Sequence, residues 1–162
     1  MKKFIALFAL MVITLASYAQ VYKMYSTRNY HNQLRLNTMT GEVQQIQDDG
    51  QSWIICSARE ISGDKESRFC LYETQNMWTF ILLDSYNGRL WQVQYSAQDL
   101  DNLFCIPINK YELVSDNENC IFSIQPLTSM YQYYLINDRT GDMWKFQWST
   151  KGDDYRWIEK FK

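Results

Sequence analysis

One motif is written three times in this chain. Asn37-Thr38-Met39-Thr40-Gly41-Glu42-Val43 recurs as Asp84-Ser85-Tyr86-Asn87-Gly88-Arg89-Leu90, and again as Asn137-Asp138-Arg139-Thr140-Gly141-Asp142-Met143. The turn glycines lie 47 and 53 residues apart, and each copy runs on into a strand-like stretch with a glutamine in register: Gln47, Gln94 and Gln147. Repetition at this period marks one supersecondary unit that was copied and stacked, because a single small unit cannot bury its apolar face alone. The motif has a mechanism. An Asn or Asp at the first corner bonds forward to the backbone and starts the bend. The glycine near its end takes a positive φ at no steric cost, as in a hairpin built on a type I turn with a glycine bulge.

Around each turn the same strands recur. Short segments open the units at Tyr22-Lys23-Met24, Phe69-Cys70-Leu71 and Phe122-Ser123-Ile124. Longer strands follow over His31–Leu36, Trp78–Leu83 and Tyr131–Ile136, and third strands over Val43–Gln47, Leu90–Tyr95 and Met143–Trp148. A hydrophilic gap precedes a fourth apolar segment: Trp53-Ile54-Ile55, Phe104-Cys105-Ile106 or Arg156-Trp157-Ile158. The pattern predicts twelve strands in three units, at about 20–58, 66–108 and 119–162, forming one all-β domain over 20–162.

Alternation assigns the faces. In the second strand one face is apolar in every copy: Leu34 and Leu36, Ile81 and Leu83, Tyr134 and Ile136. That face is the expected core. The other face is polar in the first copy, at Gln33 and Arg35. It turns apolar in the second (Phe80, Leu82) and third (Tyr133, Leu135). The third strand makes the same switch, from Gln44 and Asp48 to Trp91 and Tyr95, then to Trp144 and Trp148. These eight apolar residues of copies two and three are the candidate partner-binding face, because Tyr and Trp serve well as interface anchors. Packing of the same rings on one another is the competing reading.

The N-terminus reads as an export signal over 1–19. Lys2 and Lys3 form a positive head, Phe4–Leu15 an apolar run too short for a comfortable span, and Ala16-Ser17-Tyr18-Ala19 a small-residue cleavage site. The expected address is the periplasm of a Gram-negative bacterium, or secretion from it, with no membrane insertion after cleavage. The chain beyond residue 19 has 14 basic and 18 acidic residues and no basic cluster, which argues against nucleic acid as a partner. Cys56, Cys70, Cys105 and Cys120 suit an oxidising compartment. Four cysteines allow three pairings. Cys56–Cys70 with Cys105–Cys120 is favoured, since one pattern would then serve both unit junctions; free thiols are the alternative. Neither the cysteine spacing nor the single histidine, His31, suggests a metal site, and no cofactor motif is present.

Length, three copies and four strands per copy resemble a β-trefoil, which implies a closed pseudo-three-fold arrangement. The hairpin from Phe80-Ile81-Leu82-Leu83-Asp84 through Gly88 to Trp91 also resembles the blades of quinoprotein propellers. That alternative implies propeller-like blades, and a dimer of six to close a ring. Size, address and composition are similar to small periplasmic immunity and inhibitor proteins. This resemblance implies a non-enzymatic protein that neutralises an antibacterial toxin (a type VI secretion effector, for example) or a protease by occlusion. No nucleophile motif accompanies His31, and the pairs Asp48-Asp49 and Asp153-Asp154 sit in expected loops. A carbohydrate-binding, lectin-like role is the other reading, with Gln94 and Gln147 as polar contacts. The lectin pattern Gln-x-Trp is not met at Gln92-Val93-Gln94-Tyr95 or at Gln147-Trp148.

Overall fold

The computed structural model describes residues 20–116 and 121–161. The expected leader over 1–19 and Cys120 lie outside the described residues. The first unit holds β1 (Tyr22–Ser26), β2 (Asn32–Asn37), β3 (Val43–Gln47) and β4 (Ser52–Cys56). The second holds β5 (Phe69–Glu73), β6 (Thr79–Asp84), β7 (Leu90–Gln94) and β8 (Phe104–Pro107). The third holds β9 (Phe122–Pro126), β10 (Gln132–Asn137), β11 (Met143–Gln147) and β12 (Trp157–Lys160). Helix among the described residues is one turn, α1 (Ala58–Ile61), and two 3-10 turns, Leu100–Asn102 and Asp153–Tyr155.

Each unit is a separate four-stranded antiparallel meander, so the all-β, three-repeat expectation holds. No closed barrel or trefoil arrangement is seen among the described residues: every ladder runs within one unit. A trefoil barrel needs strands of different repeats to exchange backbone hydrogen bonds. Here the units meet through side chains and single corner hydrogen bonds, the amides of Phe69 and Phe122 donating to the carbonyls of Thr38 and Ser85.

The predicted corner forms in all three copies. The carbonyls of Asn37, Asp84 and Asn137 accept the amides of Gly41, Gly88 and Gly141, and their side-chain Oδ1 atoms accept amides two residues on. The three glycines sit at φ +78°, +76° and +75°. In the first two units the glycine also makes room for its successor. A Cβ on Gly41 would lie 3.0 Å from the Phe69 ring, and one on Gly88 3.1 Å from the Phe122 ring. Each following unit starts by docking its aromatic residue against the preceding turn.

Two cores result. One joins the first two units through Leu34, Leu36, Val43, Phe80, Leu82 and Trp91. The other joins the second and third through Ile81, Leu83, Leu90, Leu135, Trp144 and Phe146. The second sheet turns one face to the first unit and the other to the third, while Tyr134 and Ile136 of the third sheet, on the face expected as core, have no following unit and are only half-buried. The second unit therefore has no wet face, and β6 is buried at all six positions. Continuous apolar runs are the expected composition of such a strand. The first unit's outer face has no neighbouring unit and is mixed: Gln33 is exposed and Arg35 bonded to Gln44, while Met24 and Ile54, in register beside them, are each more than half exposed. The polar residues at 33, 35 and 44 suit the terminal unit of a repeat array.

Polar locks repeat between units as well. Gln45, fully buried, donates to the Ser96 carbonyl at 2.6 Å and accepts the Ser96 amide at 3.2 Å. Gln92, at the same place one unit later, accepts the Ser149 amide at 3.3 Å. The Tyr25 hydroxyl accepts the Leu71 amide, and the Tyr72 hydroxyl meets the Ile124 amide in the same way; burial pushes the Tyr72 phenol up to about 12. Arg68 is buried with Asp84 and holds Asp116 of the connecting loop by two further bonds. Removing one partner of a buried ion pair leaves an uncompensated charge, so loss of Arg68 or Asp84 is costly.

The favoured disulfide pairing is not formed. Cys56 is bonded to Cys105, with Cα atoms 5.2 Å apart. The reason is that β4 and β8, the fourth strands of adjacent units, pack beside each other. Cys70 is a partly buried free thiol on β5, its pKa pushed up by burial. The expected result of non-reducing peptide mapping is a Cys56–Cys105 crosslink and an unlinked Cys70. Replacing both linked cysteines by serine is expected to lower stability by roughly 2–4 kcal/mol in denaturant titration, the effect of a crosslink closing a long loop.

Candidate functional site

The eight residues assigned to a partner-binding face are all interior. Phe80, Leu82, Trp91, Tyr95, Tyr133, Leu135, Trp144 and Trp148 are each at most 6% exposed. The structure corrects the expectation of an exposed aromatic face for a simple reason. The switch from polar to aromatic between the first copy and the later two marks the presence of a preceding sheet. Phe80, Leu82, Trp91 and Tyr95 cover the first unit, and Tyr133, Leu135, Trp144 and Trp148 cover the second.

The accessible geometry lies instead at one end of the sheets. A meander places its first and third connections at the same end. Here these are 27–31 and 48–51 in the first unit, 74–78 and 95–103 in the second, and 127–131 and 148–156 in the third. The glycine corners occupy the other end. At the loop end the chain pairs once more beyond each β2–β3 type ladder: the amides of Asp48, Tyr95 and Trp148 donate to the carbonyls of His31, Trp78 and Tyr131. Three equivalent side-chain pairs follow. Trp78 and Tyr95 have ring centroids 5.3 Å apart, and Tyr131 and Trp148 4.9 Å apart. In the first unit the pair is His31 and Asp48, with Nδ1 and Oδ2 at 2.5 Å and both side chains more than half exposed. With no preceding sheet to cover a ring pair, a hydrogen-bonded polar pair takes its place.

Each pair borders a cleft, and the in-register glutamine lines all three. The first cleft, about 290 Å³, is bounded by His31, Gln47 and Asp48 with Gln98 of the second unit. The second, about 610 Å³, lies between Asn29 and the Trp78, Gln94 and Tyr95 group of the second unit. The third, about 110 Å³, is bounded by Tyr131, Gln147 and Trp148 and narrowed by Lys151 and Tyr155. The glutamines also support local structure. Gln94 and Gln147 each reach the carbonyl eight residues on, Asn102 and Tyr155, whereas Gln47 reaches Ala97 of the next unit. The shorter loop of the first unit accounts for that difference.

Around these clefts the loop end exposes large apolar side chains from every unit: Tyr30 at 84%, Leu100 and Tyr155 at 51%, and Tyr131 at 36%. Each unit also contributes two exposed aspartates here: Asp48 and Asp49, Asp99 and Asp101, Asp153 and Asp154. Sequence reasoning found two of the acidic pairs, Asp48-Asp49 and Asp153-Asp154, and the glutamines; it missed Asp99, Asp101, Tyr30, Trp78, Leu100 and Tyr155. For Leu100 and Tyr155 the signal available was the longer gap between third and fourth strands in copies two and three. Among the described residues no group of three or more His, Cys, Asp or Glu side chains is placed to hold a metal ion. No protein-family model, curated protein or solved structure matches this chain.

The hydrogen bond from His31 holds the Asp48 carboxyl below its ordinary 3.8. Because the folded value is the lower one, the pair contributes above the unfolded pKa and is lost as pH falls through the folded value. Carboxyl chemical-shift titration is expected to place Asp48 below 3.8 and to return it toward 3.8 in His31→Ala. An unchanged Asp48 midpoint in that variant would show that the pair does not form.

Proposed function

We propose that this chain is an exported, non-enzymatic binding protein of the immunity or inhibitor type, which neutralises an antibacterial toxin or a protease by occlusion. The supporting observation is the loop end, where Tyr30, Leu100, Tyr131 and Tyr155 stand exposed around open clefts and between three aspartate pairs. Tyrosines carried by a fixed scaffold contribute large contact area at little entropic cost. A rim of six aspartates speeds encounter with a basic surface and disfavours acidic ones. The partner surface is therefore basic, with a recess for the tyrosines. The buried aromatic residues act indirectly, by fixing the three loop sets relative to one another.

We further infer that the three sheets form an open, propeller-like stack. Face-to-face packing of separate meanders, with every ladder confined to its own unit, supports that reading over a closed trefoil. The Cys56–Cys105 bridge fits the periplasmic or secreted address expected from the N-terminus, since such bonds persist in oxidising compartments.

The test is periplasmic expression of the mature protein beside toxins and proteases encoded near its gene. Growth rescue and co-purification with one of them are expected. Tyr30→Ala and Tyr155→Ala are each expected to weaken that complex by about 1–2 kcal/mol, or roughly 5–30-fold. Gln33→Ala, on the far side of the first unit, is expected to change nothing. No partner across the set, or undiminished binding by the double tyrosine variant, would overturn the proposal.

A further inference from the structure

We infer that the cleft between the first and second units is a binding site for a neutral saccharide. It is a separate site from the tyrosine rim and stands on its own observations. Its volume of about 610 Å³ lies in the range of small-ligand sites, where a di- or trisaccharide fits. Its walls are Asn29, Trp78, Gln94, Gln98, Asp99 and Asn102.

The first observation is chemical. Four side-chain amides converge on one cleft, and an amide offers both donors and acceptors to a neutral hydroxyl. Part of that capacity is used internally: Asn29 Oδ1 accepts the His31 amide, Gln94 Nε2 donates to the Asn102 carbonyl, and Asn102 Nδ2 donates to Asp99 Oδ2 at 2.7 Å. Gln98 is exposed and makes no side-chain hydrogen bond among the described residues. The Asn29 and Gln98 amide groups and Gln94 Oε1 are thereby left for a ligand.

The second observation is an orphaned group. The Tyr95 hydroxyl is buried and lies beside Thr27 and Asn29, yet no partner meets it with hydrogen-bond geometry. A buried polar atom without a partner is costly, and Tyr95 lines this cleft. A ligand hydroxyl entering past Asn29 would satisfy it. The third observation is the indole. Trp78 is partly buried and held against Tyr95, so the cleft has a fixed aromatic wall on which the C–H face of a sugar ring can pack.

Charge selects within the class. No cationic side chain lines the cleft, and Asp99 borders it, so phosphorylated, sulfated and uronic sugars are disfavoured. Asp99 does not serve as an acid catalyst, because Oδ1 accepts the Asp101 amide and Oδ2 the Asn102 amide group. The third unit's cleft, about 110 Å³, is too narrow for the same ligand, and the first, about 290 Å³, is less than half the size and bordered by His31 and Asp48 in place of a ring pair, so one molecule per chain is expected.

The experiment uses the mature protein on an array of neutral and acidic oligosaccharides. Tryptophan-fluorescence titration with cello-, manno- and chito-oligosaccharides of two to four sugars follows. One saturable site for a neutral probe is expected. Gln98→Ala, which removes no internal bond, is expected to weaken it roughly fivefold, the loss of one hydrogen bond, with an unchanged melting temperature. Trp78→Ala is expected to weaken it by about tenfold or more and Trp78→Phe to restore most of it. Tyr155→Ala is expected to leave sugar affinity intact, which separates this site from the proposed protein rim. No binding of any neutral probe, a preference for acidic probes, or equal affinity in Gln98→Ala and the parent would overturn the inference.

Discussion

A strand with no solvent-facing side forces its sheet to lie between two others. That is the position of Thr79–Asp84, and the rest of the molecule is arranged around it. Because the second sheet is apolar on both faces, it needs one neighbour that presents Leu34 and Leu36 and another that presents Leu135 and Trp144. Fully burying a side chain of this size contributes roughly 1.5–3 kcal/mol, so the two interfaces dominate the energetics of assembly. The glycine corners, the Gln45 lock and the Tyr25 and Tyr72 hydroxyls set register within that packing rather than drive it.

The first unit explains the other two by contrast. It follows the same pattern but has no preceding sheet, and the changes occur at the positions that would have touched one. Phe80 and Leu82 correspond to Gln33 and Arg35, and Trp91 corresponds to Gln44. The Trp78 and Tyr95 pair corresponds to His31 and Asp48. The third unit differs in another way: Gly141 keeps its positive φ although a Cβ there would meet nothing within 4 Å. Its turn geometry alone requires glycine, whereas Gly41 and Gly88 must also admit the ring of the next unit.

Much of this was legible from residues. Three copies of one corner placed the hairpins, and the strand assignments fall within a residue or two of the observed ones. What alternation could not supply is the identity of whatever covers each face. Period-2 patterning says that Phe80 shares a side with Leu82, and it is silent on whether that side meets solvent, a partner or the neighbouring sheet. The run Phe80-Ile81-Leu82-Leu83 carried the needed hint, since a half-buried strand alternates and a fully buried one does not. The disulfide was misread for a related reason. Spacing along the chain favoured near neighbours, while the stack brings β4 beside β8. The first two clefts were illegible because they are built from loops of two units at once.

The proposed role depends on this packing, which carries the loops to one end with tyrosines and aspartates at the rim and amides within. Hydroxyl-radical footprinting of the folded mature protein measures that arrangement directly. The account requires strong labelling of Tyr30 and Tyr155, with Trp91, Tyr95, Tyr133, Trp144 and Trp148 protected until the chain is unfolded. Fast labelling of those indoles and phenols in the native protein would mean that the sheets do not stack, and the loop-end site would have no scaffold.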